Sequence, residues 1–179
     1  MLPASIWTNA YVSLGSNLGD RAENLKRGIQ GMRDAGLMVT RLSHVYETEP
    51  VETFAQPQFL NLVAEVKVAA DSDPEQMMSA LLQVEQSLGR TRDSGRTRDS
   101  LKGPRTIDLD LLLYGEQIIN TALLTLPHPR LAGRRFVLAP LAELCPELQH
   151  PVLKQTVAEL LQQTADKSEV QRLPTLVIT

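Results

Sequence analysis

Residues 59–68 read Phe-Leu-Asn-Leu-Val-Ala-Glu-Val-Lys-Val, and they alternate without a break. Leu60, Leu62, Ala64, Val66 and Val68 fall on one face, while Phe59, Asn61, Val63, Glu65 and Lys67 fall on the other. A period of two marks a strand with one greasy face. Downstream, Asp73-Pro74 starts a helix with proline at its first position, and Met77, Leu81, Val84 and Leu88 form a stripe that ends at Gly89. A further strand follows, with Ile107, Leu109, Leu111 and Leu113 alternating with Asp108, Asp110 and Leu112. Upstream, a mixed strand spans Met38 to Tyr46. Before it, Leu18, Ala22, Leu25, Ile29 and Met32 recur at helical spacing, behind Asp20 and Glu23 placed as a capping box, and end near Gly36. Ala10, Val12 and Leu14 alternate with Tyr11 and Ser13 as a first strand, closed by the turn Gly15–Gly19.

The order strand, helix, strand, strand, helix, strand predicts an α+β fold. Its core is a ferredoxin-like β-α-β-β-α-β unit, a mainly antiparallel sheet flanked by helices on both faces. Ile118–Asn120 reads as a short returning strand, and Arg134 to Leu144 and Val152 to Gln163 as extra C-terminal helices. One domain is expected over residues 1–179, with its core from about 9 to 165 and short extensions at each end.

The chemistry concentrates in Gly103–Gly115, Gly-Pro-Arg-Thr-Ile-Asp-Leu-Asp-Leu-Leu-Leu-Tyr-Gly. Strand geometry places Asp108 and Asp110 on one face with Cα atoms roughly 6.5–7 Å apart. Carboxylates that close repel unless a cation lies between them, and a hard ion such as Mg²⁺ prefers oxygen ligands. A bare Asp-x-Asp is more often a solvated strand face, but here the flank is basic. From Arg90 to Arg105 stand Arg90, Arg92, Arg96, Arg98, Lys102 and Arg105 against Asp93 and Asp99, a local charge of +4 in a chain of formal net charge −3. Arginines fork onto phosphate oxygens while carboxylates hold metal, so together the two features favour a nucleoside triphosphate. These residues alone leave open another metal-dependent nucleotide enzyme, such as a nucleotidyltransferase.

Composition narrows the classes. The 179 residues are 42% hydrophobic, sufficient for a core. A pI near 5.6 and 4% aromatic content disfavour an RNA-binding module and a membrane-surface protein. The single cysteine, Cys145, excludes an intrachain disulfide and fits a packing role in a reducing compartment. Neither a membrane span nor a signal peptide is legible, so the expectation is a soluble cytoplasmic monomer with no nucleic-acid or membrane partner. His44 and His150 read as surface or strand residues.

Several stretches together resemble the 6-hydroxymethyl-7,8-dihydropterin pyrophosphokinase family of folate synthesis. They are Leu14-Gly15-Ser16-Asn17-Leu18, Tyr46-Glu47-Thr48-Glu49-Pro50-Val51, Phe59-Leu60-Asn61, Gly103–Asp110, and Pro127-His128 with Arg134 and Phe136. The resemblance implies transfer of the β,γ-diphosphate of ATP to the hydroxymethyl group of 6-hydroxymethyl-7,8-dihydropterin, leaving AMP. It implies that Asp108 and Asp110 hold two Mg²⁺ ions bound with ATP, and leaves open whether Asp108 also takes the hydroxyl proton. Arg90 and Arg105 are implied as catalytic with the acidic pair. Glu85, Arg92, Arg105, Leu111, Thr125, His128 and Arg134 are implied as the ATP site. Thr48, Pro50, Val51, Phe59, Asn61, Asp108 and Phe136 are implied as the pterin site, the amide of Asn61 meeting the ring edge and the two aromatics stacking on it.

Two departures stand out. Lys102 replaces the aromatic residue usual in the family before Gly-Pro-Arg. Gly89-Arg-Thr-Arg-Asp-Ser94 recurs letter for letter as residues 95–100 and lengthens the loop. Counted forward from Glu85, Arg90 and Arg92 are the matching arginines; counted back from Gly103, Arg96 and Arg98 fit. The first copy is preferred because a helix end fixes its position.

Overall fold

The computed structural model describes residues 6–50, 56–89 and 105–178. Its main sheet is built around β1 (Trp7–Ser16), which pairs antiparallel with β4 (Phe59–Ala69) on one side and β5 (Asp108–Tyr114) on the other. Beyond β4 lie β2 (Met38–Leu42) and β3 (Val45–Thr48), and β8 (Val170–Leu173) adds antiparallel to β3. The order is therefore β5-β1-β4-β3-β8, with β2 also on β4.

The mixed strand expected over 38–46 is broken in two. At the break, the Ser43 hydroxyl accepts from the Val63 N–H at 2.9 Å and the Ser43 N–H donates to the Val63 carbonyl at 2.9 Å. A side chain thus occupies a ladder position and lets β3 start afresh. Ile119–Asn120 (β6) does not return to the main sheet; it forms a separate two-stranded ribbon with Thr125–Leu126 (β7).

Both faces of the sheet are covered. Helices α1 (Arg21–Asp34) and α2 (Pro74–Ser87) lie on the first face, where Leu25, Ile29, Met32, Met77, Leu81 and Val84 pack on Val12, Leu14, Leu62, Ala64 and Leu109. The Asp20 carboxylate caps α1 by accepting from the Glu23 N–H at 3.0 Å, and Asp73 caps α2 through the Glu75 N–H at 2.9 Å. On the second face α3 (Arg135–Leu144) and α4 (Val157–Gln163) set Val137, Leu138, Leu141, Val157 and Leu160 on Tyr11, Val63, Leu112 and Leu113.

The expected alternation in β5 fails after Leu111. The register shifts between Tyr11 and Val12, so Leu112 and Leu113 both pack on the second face, and Tyr114 returns to the first. A bulge inserts one extra residue and reverses the faces after it. Helix α4 also starts later than Val152. The His150 ring Nδ1 accepts from the Val152 and Leu153 N–H groups at 3.3 and 3.2 Å, bending the chain into a turn. Thr156 and Glu159 then form a reciprocal capping box that begins the helix at Val157. His150 is accordingly buried, not at the surface. Cys145 packs against the second cluster, and burial pushes its thiol up to about 11, which makes it a poor nucleophile. Among the described residues no helix is long and apolar enough to cross a membrane.

Helix α3 is pinned to β3 by one carboxylate. Glu143 accepts from the Tyr46 hydroxyl at 2.8 Å and from the His44 N–H at 3.1 Å, and its Oε1 lies 2.6 Å from His44 Nδ1. Burial alone would raise this carboxyl, but the bonds from His44 and Tyr46 outweigh it and hold it below the ordinary range. A carboxyl depressed in the fold adds stability above its unfolded value, and that stability is lost as pH falls through the folded value. Glu143→Gln should therefore destabilise the protein by ~1–2 kcal/mol at neutral pH. Urea denaturation at pH 7 and pH 4 should show the gap to the parent protein shrinking in acid.

Candidate active site

The second face is left open at the end of the sheet where β1 stops and β5 begins. There the register sets Asn61 of β4, Gly15 of β1 and Asp108 of β5 in one row, followed by Val63, Ser13 and Asp110 in the next-but-one row. Side chains two apart share a face, so Asn61, Asp108 and Asp110 project together, opposite the buried Leu14, Leu60, Leu62 and Leu109.

Gly15 makes this row possible. A Cβ there would sit 2.6 Å from Asn61 Oδ1 and 3.8 Å from the Phe59 ring. With only hydrogen at that position, the Asn61 amide lies down across the strand, where its Nδ2 donates to the Thr48 hydroxyl at 2.7 Å. Asn61 is 3% exposed and Thr48 2%, so the amide is held in one orientation. Phe59, on the same face, lies beneath the Arg105 guanidinium, 5.9 Å from the ring centroid. The structure thus brings Thr48, Asn61 and Phe59, expected at the pterin site, together with Arg105, expected at the ATP site. Pro50 stands two residues after Thr48, and Val51 lies outside the described residues.

The acidic pair is unevenly neutralised. Arg105 Nη1 reaches Asp108 Oδ2 at 2.6 Å, whereas among the described residues Asp110 meets the edge of Arg134, at 4.0 Å. Desolvation foremost, with the charge of Asp108 beside it, pushes the Asp110 carboxyl up to about 7 against the opposing charge of Arg134. Among the described residues, positive charge is sparse beside Asp110. Arg134 immediately precedes α3 and stacks on Phe136, 5.5 Å from its ring centroid, so one helix end carries both residues toward the acidic pair.

Glu85 sits beneath the strand. It is 1% exposed, and its Oε1 accepts the Leu109 N–H at 2.7 Å. Since β5 is the sheet edge, that N–H has no strand to pair with, and the buried carboxylate takes the place of one. Leu111 is 2% exposed within the first cluster, so any contact with nucleotide falls to its main chain. His128 donates its N–H to the Leu112 carbonyl at 2.9 Å, and its ring Nδ1 accepts from the Arg130 N–H at 3.2 Å. That arrangement runs the 126–128 segment along the outer edge of β5. Thr125 bonds Asn120 across the small ribbon at 3.3 Å. Arg90 and Arg92, both copies of the repeat, and Lys102 lie outside the described residues.

Residue-type reasoning overlooked three contributors. Gly15 and Asn17 belong to the Leu-Gly-Ser-Asn stretch, yet no role followed from their types. Arg21 is an ordinary first-turn helix residue until folded, when its Nη1 reaches Glu47 Oε1 at 2.9 Å and the Gln58 carbonyl at 2.9 Å.

A family model of 7,8-dihydro-6-hydroxymethylpterin-pyrophosphokinase (HPPK) matches residues 11–146. The 2-amino-4-hydroxy-6-hydroxymethyldihydropteridine pyrophosphokinase of Bacillus subtilis is 43% identical over 141 residues, 78% of this chain and 80% of its own length. Folic acid synthesis protein fol1 of Pneumocystis carinii is 39% identical over 93% of this chain, which spans only 21% of that longer protein. Among solved structures, Plasmodium falciparum HPPK-DHPS superposes with a TM-score of 0.65 over 88% of this chain and 44% of its own, at 14% identity, a likeness of fold. An acidic pair facing an amide and an aromatic ring across one glycine, in a sequence this close to the Bacillus enzyme, places the chain in the 7,8-dihydro-6-hydroxymethylpterin-pyrophosphokinase family.

Proposed function

We propose that the row Asn61, Gly15, Asp108 is the floor on which this enzyme of folate synthesis brings its pterin to ATP. The reaction transfers the diphosphate of ATP to the hydroxymethyl group of 6-hydroxymethyl-7,8-dihydropterin and releases AMP. Strands ~4.8 Å apart put the Asn61 and Asp108 Cα atoms ~10 Å apart across β1. That span suits a fused two-ring heterocycle with its hydroxymethyl arm. Asn61, fixed by Thr48, would read the polar ring edge, with Pro50 beside it and Val51 assigned there by resemblance. Phe59 and Phe136 would give the ring its stacking partners. The strand order agrees with a split β-α-β core of ferredoxin-like type, in one domain with its core at about residues 9–165.

The acidic pair fits magnesium. Mg²⁺ keeps several waters and is commonly held by one or two carboxylates together with phosphate oxygens. Among the described residues no cluster of three or more metal-binding side chains exists, so the pair and the nucleotide would share the coordination. Asp108 and Asp110 would hold two such ions bound with ATP, and the ions would supply positive charge to offset that of the phosphates. The raised Asp110 carboxyl supports the same reading, since it is the group a cation would most relieve.

Around this centre the chain's own residues bind and orient. Arg105 steadies Asp108 and presents its remaining donors to phosphate. Arg134, His128 and Thr125 line the approach along the β5 edge, where Leu111 offers main chain. Glu85 holds β5 itself in place. Arg90 and Arg92 complete the assignment by resemblance. A monomer in the cytoplasm, without nucleic-acid or membrane partners, belongs to the same reading.

Asp108→Asn and Asp110→Asn should each slow AMP formation from ATP, Mg²⁺ and the pterin by ~10²–10⁴-fold. Full activity in either variant would refute the assignment. Turnover of ATP that ignores the pterin would instead favour a different nucleotide enzyme.

Charging Asp110 has a separate consequence for stability. The folded carboxyl keeps its proton to about pH 7 whereas the unfolded chain releases it near 3.8, so stability is lost as pH rises through that window. The side chain is 35% exposed, and solvent screening reduces the effect to ~1 kcal/mol. Asp110→Asn should therefore melt higher than the parent protein at pH 8 in EDTA, and lose that advantage when Mg²⁺ and ATP are added.

Gly15→Ala probes the floor. Its Cβ must push the Asn61 amide aside, and the expected result is a KM for pterin raised about tenfold, equivalent to ~1–2 kcal/mol of lost positioning. The KM for ATP should stay nearly constant.

A further inference from the structure

Helix α3 begins where its own sequence offers no cap. The first N–H groups of a helix lack partners within it, and Ser, Thr, Asp or Asn at the preceding position usually accepts from one of them. Here that position is Arg134, whose side chain has donors only and gives α3 no cap. Its guanidinium turns instead to the site, 4.0 Å from Asp110 and 5.5 Å from the centroid of the Phe136 ring. The Arg134 carbonyl accepts the Val137 and Leu138 N–H groups at 3.1 and 3.0 Å. The Arg135 N–H goes to a residue 31 positions further along, where Asp166 Oδ2 accepts it at 2.8 Å.

Asp166 is held ready for that contact. It follows α4 in a turn where its other oxygen, Oδ1, accepts the Ser168 N–H at 2.9 Å and its own N–H donates to the Thr164 hydroxyl at 3.3 Å. The Lys167 ammonium closes the turn on the Thr164 carbonyl at 2.9 Å. Burial alone would raise the Asp166 carboxyl, but the bonds from Ser168 and from the Arg135 N–H hold it below the ordinary range. The cap is therefore charged at neutral pH, at the positive end of the helix dipole. The opposite end of α3 is anchored separately, by Glu143 and by Arg41, which donates to the Leu144 carbonyl at 2.9 Å. We infer that Asp166 is a positioning residue, which caps the first turn of α3 from outside and so fixes Arg134 facing the acidic pair. The inference rests on the proposed function, because it takes Arg134 as part of the ATP site.

The test reads kcat/KM for ATP, with Mg²⁺ and saturating pterin, at a temperature where melting curves show every variant folded. Asp166→Ala should lower it about tenfold, by misplacing a group that binds substrate. Should that variant not fold, Asp166→Glu, which keeps the charge and shifts the oxygens by one methylene, carries the same expectation. Arg134→Ala should lower kcat/KM at least as far. Adding Asp166→Ala to it should change the value less than about twofold, because both act through one group. Asp166→Asn keeps an oxygen for the Arg135 N–H and should stay within about threefold of the parent. Glu143→Gln loosens the other end of the same helix, and should leave kcat/KM nearly unchanged although it melts lower. An Asp166→Ala effect that is absent, that persists in full beside Arg134→Ala, or that Glu143→Gln reproduces would overturn the positioning role. Asp166→Asn as slow as Asp166→Ala would overturn capping as its cause. Failure of the parent protein to form AMP, or Arg134→Ala as active as the parent, would overturn the functional reading beneath it.

Discussion

The structure depends on β1 being paired on both edges. From Ala10 to Asn17 this strand is buried throughout, and its ladder to β4 and β5 sets which residues of those strands stand opposite one another. Sheet side chains have a period of two, so a slip of one residue in either ladder would turn Asn61 or Asp108 into the helical layer. The apolar rows Leu60, Leu62 and Ala64 on β4 and Leu109 and Leu111 on β5 prevent that slip, since they must face α1 and α2. The core on one face thereby fixes the chemistry on the other.

The open face carries an imbalance that the fold tolerates. Asp108 has a close guanidinium, whereas Asp110 faces Asp108 and a buried Glu85 with Arg134 at the limit of an ion pair. Packed side chains of the same shape without charge would be more comfortable there. Under the proposed function, the unrelieved repulsion between the two carboxylates would add to the affinity for a metal-bound nucleotide.

Much of this was legible in the sequence because it is periodic. The strand at 59–68, the helices behind Asp20 and Asp73, and the shared face of Asp108 and Asp110 follow from spacing alone. Misreadings occurred where one side chain overrode the pattern. The Ser43 hydroxyl broke a strand in two, the bulge at Leu112 reversed the faces of Leu113 and Tyr114, and the His150 ring delayed α4 to Val157. Glu85, read as a nucleotide-site glutamate with an exposed helix carboxylate as the lesser alternative, is buried on the Leu109 N–H; nothing in its own helix reveals that β5 will present that group. The contributions of Gly15, Asn17 and Arg21 were illegible for a related reason. Their partners lie 26 to 88 residues away for Asn17 and Arg21, and Gly15 acts through the side chain it lacks.

The row across β1 also explains why the substrates' residues come from segments so distant in the chain. An antiparallel sheet brings the start of β5, the end of β1 and the start of β4 to one edge, so Gln56 and Pro57 before β4 and Arg105 before β5 meet beside the end of β1. Their main-chain groups need partners, and a single buried amide at the end of the central strand is within reach of both. Asn61 and the acidic pair are thus held at a set separation by regular structure. Arg105 and the Gln56–Pro57 segment are joined by the residue that directly follows the central strand.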